Sequence, residues 1–465
     1  LARAPAPRKA ASMRRLGPFL LIAAVLAAAG FGAFKWAARN PEGLALRDLG
    51  RTAGEAYVFG YPLVLVDETR RAMLAAPDIE SNRLHPRTDR PGFGDEAVVR
   101  PNRDTLYSLA WLDLSDGPAL LDCPQDGDRY WLAQVMDMWT DVAGTAGSRT
   151  ACGAAGGVQI APPGWDGPRL ADYPRIEVST PHAWLLIRVG VADRPADLAA
   201  GQAFQEEFRL TAHVPDQAAL EPPDQRPPDA VAALTPEGFF ARLAALMALH
   251  PPRPGDAPML SQLAGIGLEP GAYEPEGFGP LARMAIARGV DTARERLSSG
   301  VQSRPYGPTN WRTALDLGDY GTDYALRAGV ALIGLGANRP EDAIYPSTDM
   351  DSEGRLLSGD HVYRLRFAPG ETPPARAFWS VTAYDADGFL QDVERHALGD
   401  RDRLVRDEDG GLTLTISAAR PEGVPHGNWL PVAPDEPFQL TARLYDPAPP
   451  ALSGDWRMPS VERLD

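Results

Sequence analysis

Lysine is nearly missing from this chain. Only Lys9 and Lys35 occur, and every other basic side chain is an arginine. With proline and alanine abundant, that reads as a compositional bias of the genome before any functional choice. Positive charge is short overall: 46 basic against 62 acidic residues, a net charge of −16. Residues 1–40 hold seven of the cations and no acid, so the remainder carries −23 (46 less 7 basic against 62 acidic groups). So acidic a body excludes nucleic acid as a partner and gives no polybasic face for anionic lipid. Cysteine is limited to Cys123 and Cys152, at a spacing that matches no metal motif. Paired, they would close a loop of about thirty residues, worth about 3 kcal/mol; two buried free thiols are the other reading. Neither has a histidine near it in sequence to make it a nucleophile. The seven histidines form no H-E-x-x-H or H-x-H pattern, so no metal site is expected. No G-x-S-x-G elbow, Walker loop or dinucleotide fingerprint occurs, so no cofactor is expected either.

Long apolar runs are equally scarce, with one exception. Leu16–Phe34 is uncharged, and as a helix it would rise about 28 Å, close to the ~30 Å hydrocarbon core of a bilayer. Arg3, Arg8, Lys9, Arg14 and Arg15 precede it. That asymmetry predicts a cytoplasmic N-terminus and a body on the far side of the membrane, periplasmic or extracellular. A cleaved signal is the rival, with Ala27-Ala28-Ala29 offering small residues for the cut. Against cleavage, the apolar run continues to Phe34, and Lys35-Trp36 resembles an interfacial anchor. Met13 stands at the natural distance before the run as an alternative start.

Hydrophobic periodicity divides the rest. Ala45–Ala75 reads as a helix, with Pro62 a kink or restart point. Strand signals follow at Leu106–Leu112, Tyr130–Met138, Val158–Ala161 and Trp184–Val191, separated by turns such as Ser115-Asp116-Gly117. Ala196–Leu210, Pro236–Leu249, Pro280–Leu297 and Asp323–Leu335 have helical spacing. Strands return at Tyr363–Phe367, Ala377–Tyr384, Leu412–Ser417 and Phe438–Tyr445. The expectation is an α+β protein: two antiparallel β-sandwich-like domains of jelly-roll type, bridged by helices and preceded by one transmembrane helix. The parts are 1–40 (basic tail and anchor), 41–195 (β-rich), 196–330 (mainly helical) and 331–465 (β-rich).

The two β-rich parts repeat an order of features. Arg129-Tyr130-Trp131 parallels Val362-Tyr363-Arg364-Leu365, and Met138-Trp139-Thr140-Asp141 parallels Phe378-Trp379-Ser380-Val381. Gly156-Gly157-Val158 parallels Gly410-Gly411-Leu412. Trp184–Val189 parallels Phe438–Leu444, each with an arginine inside an apolar run. Two related sandwiches are the simplest physical reading.

Val99-Arg100-Pro101-Asn102-Arg103-Asp104-Thr105-Leu106-Tyr107-Ser108, with Trp111-Leu112-Asp113-Leu114, Gly147-Ser148-Arg149-Thr150 and Arg188, resembles domain-of-unknown-function family 1254. Gly334–Asn338, Ala343-Ile344-Tyr345-Pro346, Phe378–Asp385, Asn428-Trp429-Leu430-Pro431 and Arg443-Leu444-Tyr445 resemble family 1214. The resemblance spans about residues 45 to 460 and implies exported or anchored bacterial proteins with β-rich domains. It brings no reaction with it.

Candidate chemistry rests on three clusters. Arg100, Asn102, Asp104 and Tyr107 stand beside a strand: Arg100 can clamp an anion, with Asp104 as base and Tyr107 as acid. The competing and favoured reading is an Asx-turn. Asp137, Trp139 and Asp141 alternate, so on a strand they share one face and could serve a cation, a sugar or acid–base chemistry; the plainer reading makes Trp139 a packing plug and Asp141 solvated. Trp379, Tyr384 and Asp385 form the third, with Asp385–Gly388 a hairpin turn. Two functions follow. One is an envelope protein binding a small molecule or carbohydrate, with Trp111, Trp139, Trp379 and Trp429 lining a cleft and Arg100 or Arg149 fixing an anion. The other is a hydrolase using Asp104, Tyr107 and Asp137. A structural homo-oligomer is the third possibility.

Overall fold

Strand-forming residues gather in two stretches, and each folds into a pair of sheets packed face to face. The computed structural model describes residues 41–465 except 96–98, 125–126, 151, 153–155, 170–172, 216–219, 222–223 and 301–305, and the side chains of residues 41–44 and 300 also stand outside it. The expected membrane segment Leu16–Phe34 lies outside the described residues. Among those described, no single helix is long and apolar enough to cross a membrane.

The first unit comprises β1 (His85–Arg87), β2 (Thr105–Asp113), β3 (Ala119–Asp122), β4 (Trp131–Asp137), β5 (Val142–Gly147), β6 (Gly157–Ala161), β7 (Arg175–Glu177), β8 (His182–Gly190) and, after helix α2 (Pro195–Gln205), β9 (Arg209–Thr211), where the sequence had suggested continued helix. Helix α2 stops there because Phe204 and Phe208 turn inward to the sandwich core. One sheet has the order β1-β2-β8-β4-β5 and the other β7-β6-β3-β9. Both β4 and β8 are buried along their whole length, because each face of the larger sheet is covered. Ala183, Leu185, Ile187 and Val189 of β8 enter the sandwich core; the alternate residues Trp184 and Leu186 join a helical layer, as the two-residue period requires.

That layer is built from both sides of the first unit in sequence. Helix α1 (Pro41–Leu74) runs unbroken through Pro62. It packs on α3 (Pro227–Ala233), α4 (Pro236–Leu249), α5 (Ala257–Leu263), α6 (Pro280–Gly300) and α7 (Tyr324–Gly334). Of the segment expected to bridge, residues 196–211 belong to the first unit, while the helices from Pro227 onward cap, with α1, the tryptophan-bearing half of the first large sheet. Helices α1 and α6 approach so closely that a Cβ on Gly289 would lie 1.9 Å from the Gly50 carbonyl oxygen; only glycine fits.

The second unit contains β12 (Ala343–Ile344), β13 (Ser347–Thr348), β14 (Tyr363–Phe367), β15 (Ala375–Asp385), β16 (Ala397–Gly399), β17 (Leu412–Ser417), β18 (Trp429–Pro431), β19 (Phe438–Pro447) and β20 (Val461–Arg463), numbered after a small β10–β11 hairpin (Leu268–Glu269, Ala272–Tyr273) in the helical region. Its sheets have the orders β12-β19-β15-β16, with β13 also on β19, and β18-β17-β14-β20. Strand for strand this repeats the first unit: β2 to β9 correspond in chain order to β12/β13 to β20, in the same sheet positions. The pairs β6–β7 and β17–β18 are both parallel, so neither unit is an all-antiparallel sandwich of jelly-roll type. The repeat pairs motifs differently from their order of appearance. Trp131 corresponds to Trp379: each backbone N–H donates to the side chain just past the next strand, Ser148 and Asp400 respectively, at 3.0 and 3.2 Å. The strand at Tyr363 corresponds to Ala119–Asp122, and Trp139 has no counterpart role. The equivalences of β6 with β17 and of Arg188 with Arg443 are those read from sequence.

The two large sheets face each other, and their contacts are reciprocal. Asp104 of the first unit pairs with Arg401 of the second at 3.2 Å, while Asp342 of the second pairs with Arg149 of the first at 2.7 Å. Arg149 and Arg401 each follow by two residues the glycine that ends β5 or β16; Asp104 and Asp342 each stand three residues before a tyrosine. Tyr130 and Phe378, themselves equivalent, meet edge to face at 5.3 Å. This is the pattern of an isologous interface, enclosed within one chain.

Candidate functional site

A β-sheet face packed against another protein layer is normally apolar. The face that β15 and β19 turn toward the first unit is not: Ser380, Thr382, Tyr384, Gln439, Thr441, Arg443 and Tyr445 are all buried there. The first unit answers with Tyr107 and Arg188, directly opposite each other on β2 and β8. Antiparallel register places Tyr345 opposite Arg443 in the second unit, since Ile344 faces Leu444 and Ser347 faces Thr441. Two equivalent tyrosine–arginine pairs therefore meet at the junction. All four side chains line one cleft of about 2230 Å³, walled on its other side by α1, α6 and α7.

The arginines are deep in the molecule, Arg188 at 6% exposure and Arg443 at 3%. Arg188 donates to Gln134 Oε1 at 3.1 Å and to the Gly336 carbonyl at 2.7 Å, and its guanidinium lies 5.3 Å from the Tyr107 ring centre. Arg443 donates to the Thr382 hydroxyl, the Arg100 carbonyl and the Tyr384 phenol. Among the described residues no carboxylate lies within ion-pair distance of Arg100, Arg188 or Arg443. Asp104 contributes attraction to Arg443 only from further away. Burial by itself would raise the Tyr107 phenol; the charge and hydrogen bond of Arg188, helped by Asn102, outweigh it and hold the phenol below its ordinary value. Tyr345, more dominated by burial, is pushed up to about 12. Each phenol has an asparagine: Asn102 Nδ2 donates to the Tyr107 oxygen at 3.1 Å, and the Tyr345 hydroxyl donates to Asn338 Oδ1.

The Arg100–Asp104 loop joins this floor. Asn102 Oδ1 accepts from the Asp104 N–H at 2.8 Å, the Asx-turn geometry. Arg100 has a positive φ of 52°, and its Nε donates to Gln439 Oε1 at 3.0 Å. Asp104 is taken up by the interface: besides Arg401 it accepts from Ser380 at 2.6 Å and Tyr445 at 3.2 Å. Tyr384 donates to the Pro101 carbonyl at 2.8 Å. Of the residues singled out from sequence, Arg100, Asn102 and Tyr107 line the cleft; Asp104 and Tyr384 stand behind it.

Asp137 does not join them. It sits opposite Ala183, five positions along β8 from Arg188, about 17 Å away at strand spacing. The proposed Asp104–Tyr107–Asp137 trio is thus split. Nor do Asp137, Trp139 and Asp141 share a strand face, because β4 ends at Asp137 and the next residues form a tight turn. Asp137 Oδ1 accepts from the N–H groups of Trp139 and Asp141 at 2.9 and 3.0 Å, and Thr140 is held at φ 71°. Trp139 is a plug against Phe59, 4.9 Å between rings. Asp141 is buried and paired with Arg253 at 2.7 Å and Arg327 at 3.3 Å, correcting its expected solvation. Burial pushes the Asp137 carboxyl up to about 7 and that of Asp141 up to about 6.

The expected tryptophan-lined cleft is also corrected: no tryptophan is among its described lining residues. Trp111 stacks on Trp184 at 4.8 Å beneath the helices, Trp379 packs on Phe367 in the second core, and Trp429 bonds the Ser417 carbonyl. Each finds its partners inside an apolar core or a strand end. Arg149 is engaged by Asp342, away from the cleft. Asp385 accepts from the Asp387 and Phe389 N–H groups, a hairpin turn. Cys123 and Cys152 are paired as a disulfide, 29 residues apart. Among the described residues no group of three or more His, Cys, Asp or Glu is placed to hold a metal ion. Arg188, Arg443, Tyr345, Asn338 and Gln134 were missed as site residues. The one usable signal was an arginine inside an apolar run in both final strands.

Comparison with known proteins agrees with this architecture. Among solved structures, the VPA0106 protein from Vibrio parahaemolyticus is 23% identical, with a TM-score of 0.67 over 90% of this chain and 100% of its own. It shares the fold. A putative uncharacterized protein from Burkholderia cenocepacia is 14% identical, with a TM-score of 0.46 over 90% of this chain and 94% of its own. No curated protein matches the sequence. Residues 81–212 match the family described as "Protein of unknown function (DUF1254)" and residues 342–449 match "Protein of unknown function (DUF1214)". The chain therefore joins a DUF1254 segment to a DUF1214 segment, in that order, and these correspond to its two sandwich units.

Proposed function

We propose that this protein is a binding protein of the cell envelope, tethered by Leu16–Phe34, that takes a small anionic molecule in the cleft between its helical layer and its two sandwiches. The observation that carries the reading is the charge of the site. Eight arginines and four acidic residues are among the described lining residues, in a chain whose net charge is −16. Arg188 and Arg443 are buried beneath that surface and donate hydrogen bonds to neutral groups, with Asp104 acting on Arg443 only from a distance. A buried guanidinium without a counter-ion is costly, and an incoming carboxylate or phosphate offsets that cost. Sugar recognition by stacking has less support, since the tryptophans are elsewhere. The Cys123–Cys152 pairing fits an oxidising compartment, and a C-terminal reporter active only outside the cytoplasm tests the placement.

A second reading keeps the site as an enzyme, with Tyr107 as the acid–base group. Its depressed phenol beside Arg188 favours it; the distance of Asp137 counts against the original form. The test is a thermal-shift and turnover screen of the full chain with inorganic phosphate, short carboxylates and neutral sugars. Stabilisation by the anions, lost in Arg188→Gln and Arg443→Gln, is the expected result. Stabilisation by neutral sugars alone, or an anion response untouched by both substitutions, overturns the proposal.

A further inference from the structure

A cleft of about 2230 Å³ is larger than a small anion needs; drug-sized ligands fill about 300–1,000 Å³. Its two sides differ in kind. The floor is the arginine–tyrosine set. The helical wall sets uncovered aliphatic side chains among charged ones: Leu281 and Met284 of α6 are 66% and 51% exposed, Ile333 of α7 is 41% exposed, and Leu46 and Val58 of α1 line the cleft beside Arg47, Arg51 and Glu55. Leu281, Met284 and Arg288 recur at helical spacing, so the wall passes from aliphatic to basic along one stripe of α6. Methionine on such a surface adapts to irregular apolar shapes. Leu356, 63% exposed, faces the same space from the second unit.

We infer that the ligand is a single-chain anionic amphiphile, whose head is held by Arg188, Arg443 and Arg100 and whose hydrocarbon chain lies along α1, α6 and α7. This rests on the anion-binding reading above and deepens it. The head neutralises guanidiniums that have no carboxylate of their own; the chain covers aliphatic side chains that a soluble protein otherwise leaves wetted at a cost. No covalent step is involved.

The test uses the full chain in amphipol and compares dodecanoate, butyrate and dodecanol by calorimetry. Each methylene that enters the cleft strengthens binding by about fourfold, so dodecanoate is expected to bind at least ~100-fold more tightly than butyrate. Leu281→Glu with Met284→Glu alters exposed positions that the fold tolerates. That variant is expected to lose the chain-length gain and keep butyrate binding. Equal affinity for dodecanoate and butyrate overturns this inference and leaves the anion site standing. Dodecanol binding as tightly as dodecanoate overturns the anionic head. Dodecanoate bound only after residues 1–40 are cut away also overturns it, because the chain's own apolar segment then fills the cleft. No response to either carboxylate is the failure of the underlying reading instead.

Discussion

Replacing Asp137 by asparagine isolates a buried carboxyl whose proton the fold holds more tightly than the unfolded chain does. In the folded chain its value is raised from 3.8 to about 7, first by burial and then by Asp141. A raised acid binds its proton more tightly folded than unfolded, so its stabilising contribution is complete below about pH 4 and is lost as pH rises through about 7. The difference between 3.8 and about 7 corresponds to about 4 kcal/mol for an isolated group; sharing the site with Asp141 reduces this to about 2–4 kcal/mol. Asparagine keeps the oxygen that accepts from Trp139 and Asp141 and cannot ionise. Asp137→Asn is therefore expected to match the native chain within a small constant offset near about pH 3, to gain on it steadily between about pH 4 and about 7, and to be about 2–4 kcal/mol ahead near about pH 9. Urea unfolding across that range, followed by tryptophan fluorescence, reads the difference. A difference between the two proteins that does not change with pH refutes the reasoning, whatever its sign.

Arg188→Met should leave the melting temperature within a few degrees of native, because losing its hydrogen bonds is set against removing a buried charge, about 1–3 kcal/mol on either side. It should abolish the anion response and raise the Tyr107 phenol, read as a shift in the ultraviolet titration of tyrosinate. Asp104→Ala and Asp342→Ala each leave an arginine of the other unit unpaired and should each cost about 3 kcal/mol in urea unfolding; a cost at one site only would contradict their equivalence. Reducing Cys123–Cys152, which spans 29 residues, should lower stability by about 3 kcal/mol, measured by melting with and without reductant.

Elements that alternate cleanly were readable in advance. Tyr363–Phe367 and Leu412–Ser417 carry inward Tyr, Leu, Phe and Ile at every second place and fold over those bounds. Helix Pro236–Leu249 carries its own start signal, Thr235 accepting from the Gly238 N–H at 3.0 Å. Strands of two or three residues, such as Ala343–Ile344 and Arg209–Thr211, are too short to show a period and exist because a neighbouring strand offers its edge. The site was half legible. Arg100, Asn102 and Tyr107 lie in one dense motif. Tyr345 and Arg443 lie far along the chain, and only the pairing of two large sheets brings them beside Arg188. The alternation of Asp137, Trp139 and Asp141 misled because a turn whose carboxylate caps its own backbone produces the same spacing as a strand.

The crossed pairs Asp104–Arg401 and Asp342–Arg149 give each half a surface complementary to itself. A fragment carrying the second unit alone would display Asp342 and Arg401 at opposite edges of an uncovered polar sheet. A twin of that fragment, turned about a twofold axis, could offer the matching arginine and aspartate. Proteolysis between the halves should therefore yield a species that dimerises with its own kind, visible as a doubled mass by light scattering, and the covalent linkage in the intact chain is what keeps that appetite satisfied within one molecule.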